Sequence, residues 1–133
     1  MGAGQDDRKE PVSLEGIRTL VVEDGWQVAD ALTLCLERLG MVVAGPVATV
    51  HEAQRLAMLC RPELAVVDVN LKGEMAYELM DWLHDQGVLV IVISGYEDLP
   101  RSLGTFAAIL HKPFTMAALA TTVRRVMARN PTR

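Results

Sequence analysis

A chain of 133 residues is long enough for one ordinary domain and too short for two. Half of its residues are hydrophobic but only 5% are aromatic, so its core must be built mainly from aliphatic side chains. Its net charge of −4 argues against direct binding to nucleic acid, which normally requires a basic face.

The sequence also lacks signals for secretion or membrane insertion. Its first ten residues are polar and contain no apolar segment of the signal-peptide type. The longest strongly apolar run, residues 88–93, is far shorter than the roughly 20 residues that cross a bilayer. Cys35 and Cys60 show no metal-binding spacing, and we expect both to be buried, reduced thiols on apolar helix faces. We therefore expect a cytoplasmic protein that does not associate with membranes.

Short apolar runs alternate with helical patterns along most of the chain, which predicts one domain over residues 15–130 after a mobile tail over residues 1–14. In chain order, the predicted elements are a strand over 17–22, a helix over 26–39, a strand over 41–44 closed by Gly45-Pro46, a helix over 50–60, a strand over 64–68, a helix over 75–86, strands over 88–93 and 107–110, and a helix over 114–129. The predicted cap of the second helix is Thr49, with Glu52 at the capping-box position.

The predicted strands read as nearly continuous apolar runs, which indicates a parallel sheet covered on both faces. Alternation of strands and helices through short loops predicts right-handed crossovers and a doubly wound α/β fold. In this architecture ligands bind beyond the carboxyl ends of the strands. The residues at those ends are therefore the first candidates for a functional site.

Polar side chains stand at four of these strand ends. They are Glu23 and Asp24 after the first strand, Asp68 at the end of the third, Ser94 after the fourth and Lys112 after the fifth. Three carboxylates at one edge repel each other unless a cation joins them, and an oxygen-rich acidic site suits Mg²⁺. Lys112 adds one compact positive charge beside them. We therefore expect a Mg²⁺ site at this edge of the sheet.

This division of charge fits phosphoryl transfer to a carboxylate. The carboxylate attacks in line, while a metal ion, an ammonium group and a hydroxyl group interact with the phosphoryl oxygens. Asp68 is the expected nucleophile, because it ends the central strand between the acidic pair and the side that carries Ser94 and Lys112. The backbone carbonyl of Asn70, two residues later, is an expected further metal ligand, a role that does not demand the Asn70 side chain.

Four segments, VVEDG, AVVDVNLKGE, VISGY and HKPF, resemble the signature stretches of the response-regulator receiver family, the CheY-like fold, and the resemblance covers residues 17–129. It implies a flavodoxin-like sheet of five parallel strands in the order 2-1-3-4-5, with helices on both faces. It also implies that a histidine kinase donates the phosphoryl group to Asp68 with Mg²⁺ required, and that Ser94 swings toward that group. The bond between Lys112 and Pro113 is expected to be cis.

The sequence departs from the family at three points. Ile109 stands where most receivers have an aromatic switch residue, so the usual rotamer switch cannot operate. Lys72 replaces the proline expected after the nucleophile. The interval between the fourth and fifth strands is short and contains Pro100 and Gly104, which predicts a short or irregular fourth helix.

These departures occur together in a subgroup that the chain resembles, the single-domain receivers with the fourth-strand motif F-A-T-G-U-Y, here IVISGY. That subgroup pairs with kinases of the HWE and related types in alphaproteobacteria. In this chain Tyr96 would replace part of the missing aromatic's function or shield the acyl phosphate from water.

The expected function is that of a single-domain receiver with no output domain, which acts by binding a partner, by relaying phosphate or by draining it from a kinase. The expected partner is a sensor histidine kinase, of HWE type, or a phosphotransfer protein. Trp26, at the rim of the site, is expected to be either part of a kinase-docking surface or a partly buried structural residue. The chain is expected to be a monomer or a weak homodimer through the face of its fourth and fifth helices. Self-phosphorylation from small donors and self-dephosphorylation would not make it a conventional enzyme.

Two other functions stay open. A pseudo-receiver that binds a partner without phosphorylation would explain Ile109, although a degenerate receiver would usually lose one of Asp68, Ser94 and Lys112. A small hydrolase or a flavodoxin-like flavin carrier would need a phosphate-binding loop after the first strand. Here that loop reads EDGW, whose two acids would repel a phosphate in the absence of a metal.

Overall fold

The structure is a computed structural model that describes residues 13–95 and 106–130. Its elements are β1 (Arg18–Val22), α1 (Trp26–Arg38), β2 (Val42–Val47), α2 (Val50–Cys60), β3 (Leu64–Asp68), β4 (Asn70–Leu71), β5 (Glu74–Met75), α3 (Tyr77–Asp85), β6 (Leu89–Ser94), β7 (Ala108–His111) and α4 (Met116–Arg129). The interval of the predicted irregular helix between the fourth and fifth sheet strands lies outside the described residues, as does most of the predicted N-terminal tail.

Five of the strands form one parallel sheet in the order β2-β1-β3-β6-β7. This is the predicted 2-1-3-4-5 order once the two short strands β4 and β5 are set aside, so the predicted doubly wound α/β fold is confirmed. The chain leaves β1 to form β2 on one side and returns to form β3 on the other. The strand order therefore reverses between β1 and β3, and the carboxyl ends of these two strands flank the expected ligand-binding crevice.

Both faces of the sheet are covered by helices, as the continuous apolar strands predict. All five residues of β3 are buried. Its neighbours Val66 and Val67 belong to two separate core clusters, because successive side chains of a strand point to opposite faces. The cluster of Val66 includes residues of α1 and α4, and that of Val67 includes residues of α2 and α3. Helix packing on both sides thus fixes the position of the Asp68 strand.

The predicted cap of α2 is confirmed. The Thr49 hydroxyl accepts a hydrogen bond from the Glu52 backbone N–H at 3.1 Å. The Glu52 carboxylate reaches back and accepts from the Ala48 N–H at 3.2 Å, one residue before the cap. Two backbone donors at the helix start are satisfied in this way.

Two boundaries in the structure differ from the predicted ones. Leu14, which the prediction assigns to the mobile tail, is only 5% exposed and packs in the core on the α1 and α4 side, so the ordered domain begins before residue 15. The last helix, α4, begins at Met116 and not at the predicted residue 114, and Met116 is 38% exposed. It lies directly after the capping Thr115, and the buried residues of this helix begin at Leu119.

The second strand is also longer than predicted, since β2 continues through Gly45 and Pro46 to Val47. Gly45 has φ +100°, and a Cβ atom there would lie 2.8 Å from the Val21 carbonyl oxygen. Glycine therefore allows the backbone of β2 to stay against β1 while the pairing shifts register. Pairing with β1 overrides the local turn signal of the Gly-Pro sequence.

A small hairpin follows β3 and is not predicted by the sequence pattern. Its strands β4 and β5 are antiparallel, with Leu71 opposite Glu74 and Asn70 opposite Met75. Lys72 and Gly73 form the connecting turn at φ +52° and φ +90°, the pair of positive angles that defines a type I′ turn. The segment directly after Asp68 is thus a folded hairpin.

Within residues 13–95 and 106–130, none of the helices has both the length and the hydrophobicity that crossing a bilayer would require. Cys35 is buried and Cys60 is half-buried, and both are free thiols. Burial raises the pKa of each thiol above its ordinary value. The predicted burial therefore holds for Cys35 and not for Cys60.

Candidate functional site

The predicted polar residues come together at the carboxyl edge of the sheet. Strand pairing places the carboxyl ends of the strands side by side, with Val22 opposite Val67 and Asp68 opposite Ile93. Glu23 and Asp24 follow β1 at this edge, and Lys112 follows β7. The five-stranded sheet therefore brings together side chains that are up to 89 positions apart in the chain.

Three carboxylates form the acidic part of the site. Glu23, Asp24 and Asp68 each offer an oxygen atom, and these oxygens all lie within 4.8 Å of one another. Glu23 and Asp68 are each only 3% exposed, and Asp24 is half-buried. Like charges this close in a poorly solvated pocket are costly unless positive charge is added.

Lys112 supplies part of that positive charge. Its Nζ donates a hydrogen bond to Asp68 Oδ2 at 2.7 Å and lies 3.6 Å from Glu23 Oε1. Burial by itself would lower the pKa of Lys112, but the hydrogen bond and the charge of Asp68, joined by the charge of Glu23, raise it above the ordinary lysine value. The ammonium group is thus held in its charged form, and one cation faces three carboxylates.

The environment of Glu23 indicates that one ammonium group does not neutralise the three carboxylates and that the site can bind a further cation. Its Oε2 accepts a hydrogen bond from the Gly25 N–H at 2.9 Å, whereas its buried Oε1 has no hydrogen-bond partner among the described residues. Burial, joined by the negative charge of Asp68, raises the pKa of the Glu23 carboxyl to about 7. A buried carboxylate oxygen without a partner, next to two other acids, fits the oxygen ligands that Mg²⁺ prefers.

Asp68 is held at both carboxylate oxygens. Its Oδ1 accepts a hydrogen bond from the Asn70 N–H at 3.0 Å, and its Oδ2 accepts from Lys112. The buried strand β3 fixes its backbone. The carboxylate therefore has one orientation, directed to the acidic cluster and the ammonium group, as an in-line nucleophile requires.

Ser94 is placed beside the site with its hydroxyl engaged elsewhere. The residue is completely buried at the end of β6, and its Oγ donates to the Gly95 carbonyl at 2.7 Å. A hydroxyl has a single proton to donate, so a hydrogen bond from Ser94 to a group bound on Asp68 requires that proton to leave the Gly95 carbonyl. A swing of Ser94 is what the family resemblance implies.

The other predicted site residues differ in their relation to the acidic cluster. The Lys112–Pro113 bond is cis, as expected. Ile109 is half-buried in β7 and packs on the sheet face covered by α2 and α3. Tyr96 lies outside the described residues. The Asn70 side chain points to the hairpin turn, where its Oδ1 accepts from the Gly73 N–H at 2.8 Å.

The structure adds an apolar groove next to the site, of which the sequence indicated only the neighbouring Trp26. A largely apolar groove of about 510 Å³ runs beside Lys112, lined also by Gln27, Val28, Ala31, Pro113 and Phe114. Trp26, the first residue of α1, is 72% exposed. Its place two residues after Asp24 is the only sequence signal for this surface, because the groove joins segments more than 80 positions apart.

Glu23→Gln is expected to stabilise the metal-free protein at high pH. The folded-state pKa of about 7 lies above the ordinary value of 4.5, so the folded protein prefers the protonated acid. The stability that this preference contributes is fully present below pH 4.5 and is lost as the pH rises through 7. At pH 8 the charged carboxylate therefore costs the fold about 1–2 kcal/mol, which glutamine removes.

Thermal melting in EDTA at pH 8 and pH 5 measures this effect. The gain from Glu23→Gln should be present at pH 8 and mostly absent at pH 5, while the exposed Glu37→Gln should change little at either pH. Excess Mg²⁺ should raise the melting temperature of the wild type more than that of Glu23→Gln, because the wild type keeps all three carboxylates. An equal gain at both pH values would contradict the electrostatic explanation.

Comparison with known proteins identifies the closest functional class. Residues 19–124 match the response regulator receiver domain family. No curated protein sequence shows significant similarity to this chain.

Solved structures share the fold. The signal receiver domain of a modulated diguanylate cyclase from Desulfovibrio desulfuricans G20 is 26% identical with a TM-score of 0.74, and the match covers 88% of this chain and 98% of that one. The receiver domain of the PhyR response regulator from Erythrobacter litoralis is 24% identical with a TM-score of 0.78, covering 86% of this chain and 92% of that one. The response regulator PhyR from Brucella abortus is 22% identical with a TM-score of 0.79, covering 98% of this chain and 54% of that one. At these identities the two PhyR structures bear on the fold alone.

Proposed function

Since this chain belongs to the response regulator receiver domain family, we propose that it accepts a phosphoryl group on the Asp68 carboxylate from a histidine kinase or a phosphotransfer protein. Proteins of this family are signalling phosphoacceptors rather than conventional enzymes. The observation that supports the proposal most directly is the contact between Asp68 Oδ2 and Lys112 Nζ at 2.7 Å inside a buried acidic cluster. A carboxylate paired in this way serves as a nucleophile with a fixed cation beside it.

The transfer step follows from these groups. An oxygen of Asp68 forms a bond to phosphorus while the P–N bond of the donor phosphohistidine breaks, and the imidazole leaves with the electron pair and takes up a proton from solvent. Lys112, already at the carboxylate, neutralises a phosphoryl oxygen, and Ser94 rotates from the Gly95 carbonyl to donate to another. No general base is needed, because a carboxylate nucleophile has no proton to lose.

Mg²⁺ is the metal that fits this site. We propose Glu23, Asp24, Asp68 and the backbone carbonyl of Asn70 as the protein groups that hold it, with Glu23 acting directly or through water. When bound, the ion supplies positive charge against the equatorial phosphoryl oxygens. Glu23 Oε1, which is buried and has no hydrogen-bond partner among the described residues, and the mutual distances of the three carboxylates support this assignment.

The phosphoryl donor is proposed to dock beside Asp68 on the apolar groove and on Trp26. The groove adjoins Lys112, so a partner seated there brings its reactive histidine close to the nucleophile. An exposed tryptophan next to an apolar groove is a typical anchor point for a protein partner. A sensor kinase of the HWE type is the proposed donor, because the motif IVISGY and the absence of an aromatic at Ile109 resemble the single-domain subgroup.

The proposed output of this receiver domain is partner binding, phosphate relay or phosphate drainage in the cytoplasm. We propose that it acts as a monomer or as a weak homodimer through its last helix and the preceding segment. In this proposal Tyr96 shields the phosphoryl group and replaces part of the missing aromatic's role. A rotamer switch of the usual kind is excluded at Ile109, since an aliphatic side chain has no ring to move inward.

Incubation with acetyl phosphate or phosphoramidate and Mg²⁺, followed by intact mass spectrometry, tests the proposal. The protein should gain the mass of one phosphoryl group, and EDTA should prevent the gain. Reduction of the product with borohydride, which converts an aspartyl phosphate to homoserine, should mark the peptide that contains Asp68. Modification of another residue would remove the nucleophile assignment. A folded protein that stays unmodified with every donor would support a pseudo-receiver instead.

A further inference from the structure

The hairpin that follows β3 connects the nucleophile to a turn with an unusual backbone. The Asn70 N–H donates to Asp68 Oδ1 at 3.0 Å, and the Asn70 side-chain Oδ1 accepts from the Gly73 N–H at 2.8 Å. Asn70 is therefore bound to the phosphoacceptor through its backbone and to the turn through its side chain. A change in the conformation of the turn would therefore alter the position of the Asn70 backbone next to Asp68.

The strand pairing shows which way the Asn70 backbone is directed. Leu71 and Glu74 flank the two-residue turn and form its closing, hydrogen-bonded pair. Bonded and non-bonded pairs alternate along an antiparallel ladder, so Val69 and Ala76 form the next bonded pair. The Ala76 N–H donates to the Val69 carbonyl at 2.8 Å, as this position requires, whereas the Val69 N–H donates to the Ile93 carbonyl of β6 at 3.0 Å, so one of the two bonds of the pair is formed.

Asn70, between these two bonded positions, occupies the non-bonded position opposite Met75. At such a position the N–H and the C=O of a residue both point away from the partner strand. Since the N–H of Asn70 reaches Asp68, its carbonyl is on the same outer edge of the hairpin as the acidic cluster. The register of the hairpin thus determines where this carbonyl points.

We propose that Gly73 and the Asn70 side chain are positioning residues, which hold the turn so that the Asn70 carbonyl faces the acidic cluster and thereby set the affinity for Mg²⁺. This inference rests on the proposed function, in which the Asn70 carbonyl is a metal ligand. In this proposal neither the Gly73 backbone nor the Asn70 side chain would be a metal ligand, since the Asn70 Oδ1 accepts from the Gly73 N–H. Groups that orient ligands in this way commonly change metal affinity when they are removed.

Glycine at position 73 meets a backbone requirement. Its φ of +90° is strained for a residue with a Cβ atom, but a Cβ there would meet nothing within 4 Å. Gly73→Ala therefore strains the turn without creating a steric clash. Gly87, which follows α3, has φ +83° and is equally unobstructed, so Gly87→Ala imposes the same kind of strain away from the hairpin. The two substitutions form a matched pair.

Mg²⁺ affinity, measured by isothermal titration calorimetry on the full chain, separates the possibilities. Gly73→Ala and Asn70→Ala should each bind Mg²⁺ about tenfold more weakly than the wild type. Gly87→Ala should keep the wild-type affinity while its melting temperature in EDTA falls about as much as that of Gly73→Ala. Gly73→Asn, a residue that tolerates positive φ, should recover most of the lost affinity.

Other outcomes of these affinity measurements would contradict either the role of the hairpin or the proposed function. Unchanged affinity in Gly73→Ala and Asn70→Ala, or an equal loss in Gly87→Ala, would show that the hairpin does not position a metal ligand, although wild-type phosphorylation would stand. Wild-type protein that binds no Mg²⁺ would overturn the proposed function and this inference with it. If Gly73→Ala does not fold, as judged by circular dichroism, Asn70→Ala decides the question because it introduces no backbone strain.

Discussion

Asp68→Asn is expected to abolish phosphorylation, with a rate reduced at least about a thousandfold, as is found when a covalent nucleophile is removed. The amide keeps the size of the carboxylate and can still accept from the Asn70 N–H, so the fold and the hairpin contact should survive. What it loses is the anionic oxygen that forms the bond to phosphorus. Intact mass after incubation with acetyl phosphate and Mg²⁺ measures the result.

A suitable control for this prediction is Asp85→Asn at the end of α3, where the side chain is 79% exposed. It changes the net charge by the same amount and should leave phosphorylation unchanged. Melting in EDTA should show Asp68→Asn to be folded and no less stable than the wild type, because one charge leaves a crowded acidic cluster. Phosphoryl incorporation into Asp68→Asn at the wild-type level would refute the assignment of the nucleophile.

Lys112→Met is expected to slow phosphorylation by about a hundredfold to a thousandfold, the effect of removing one preorganised charge from a site that stabilises a transition state. Methionine preserves much of the length and apolar volume of the lysine stem, so the change is mainly electrostatic. The ammonium is the one side-chain cation within 4 Å of both Asp68 and Glu23 among the residues that the structure describes. Its loss removes the protein cation that would neutralise a phosphoryl oxygen and leaves only the Ser94 hydroxyl as a protein donor.

Initial rates with phosphoramidate, at saturating Mg²⁺, measure this loss. Lys112→Arg should recover only part of the rate, since its planar guanidinium keeps the charge but cannot take the compact position at 2.7 Å from Asp68 Oδ2. Mg²⁺ binding by Lys112→Met should persist, because the variant keeps all three carboxylates. A rate within a few-fold of the wild type would show that Lys112 has only a structural role.

The sequence was sufficient to predict the parts of the molecule in which local pattern and global fold agree. The apolar runs at 64–68 and 88–93 gave strands that the structure places side by side at the centre of the sheet, and rules for parallel sheets then brought Asp68 near the acidic pair. Both strands are buried on two faces, so their apolar composition and their buried environment both indicate central strands of a parallel sheet.

Other features depend on contacts that the pattern does not encode. Gly45-Pro46 reads as a turn, but pairing with β1 keeps it in a strand. Lys72-Gly73 differs from the Asn-Gly or Asp-Gly pairs that signal a type I′ turn, so the hairpin was not predicted. The hydrogen bond from Ser94 to the Gly95 carbonyl is a choice between rotamers. The sequence identifies Ser94 as a candidate but not which acceptor its hydroxyl selects.

The exposure of Trp26 gives the protein a built-in optical reporter. Its indole ring is 72% exposed and only two residues from Asp24, whereas Trp82, the other tryptophan in the chain, is half-buried against the opposite cluster of the core. Fluorescence from an unlabelled sample therefore combines one emitter at the rim of the acidic site with one that is remote from it. Replacing Trp82 with phenylalanine would leave a single-emitter protein in which ion binding and phosphorylation can be followed in real time by stopped-flow measurements.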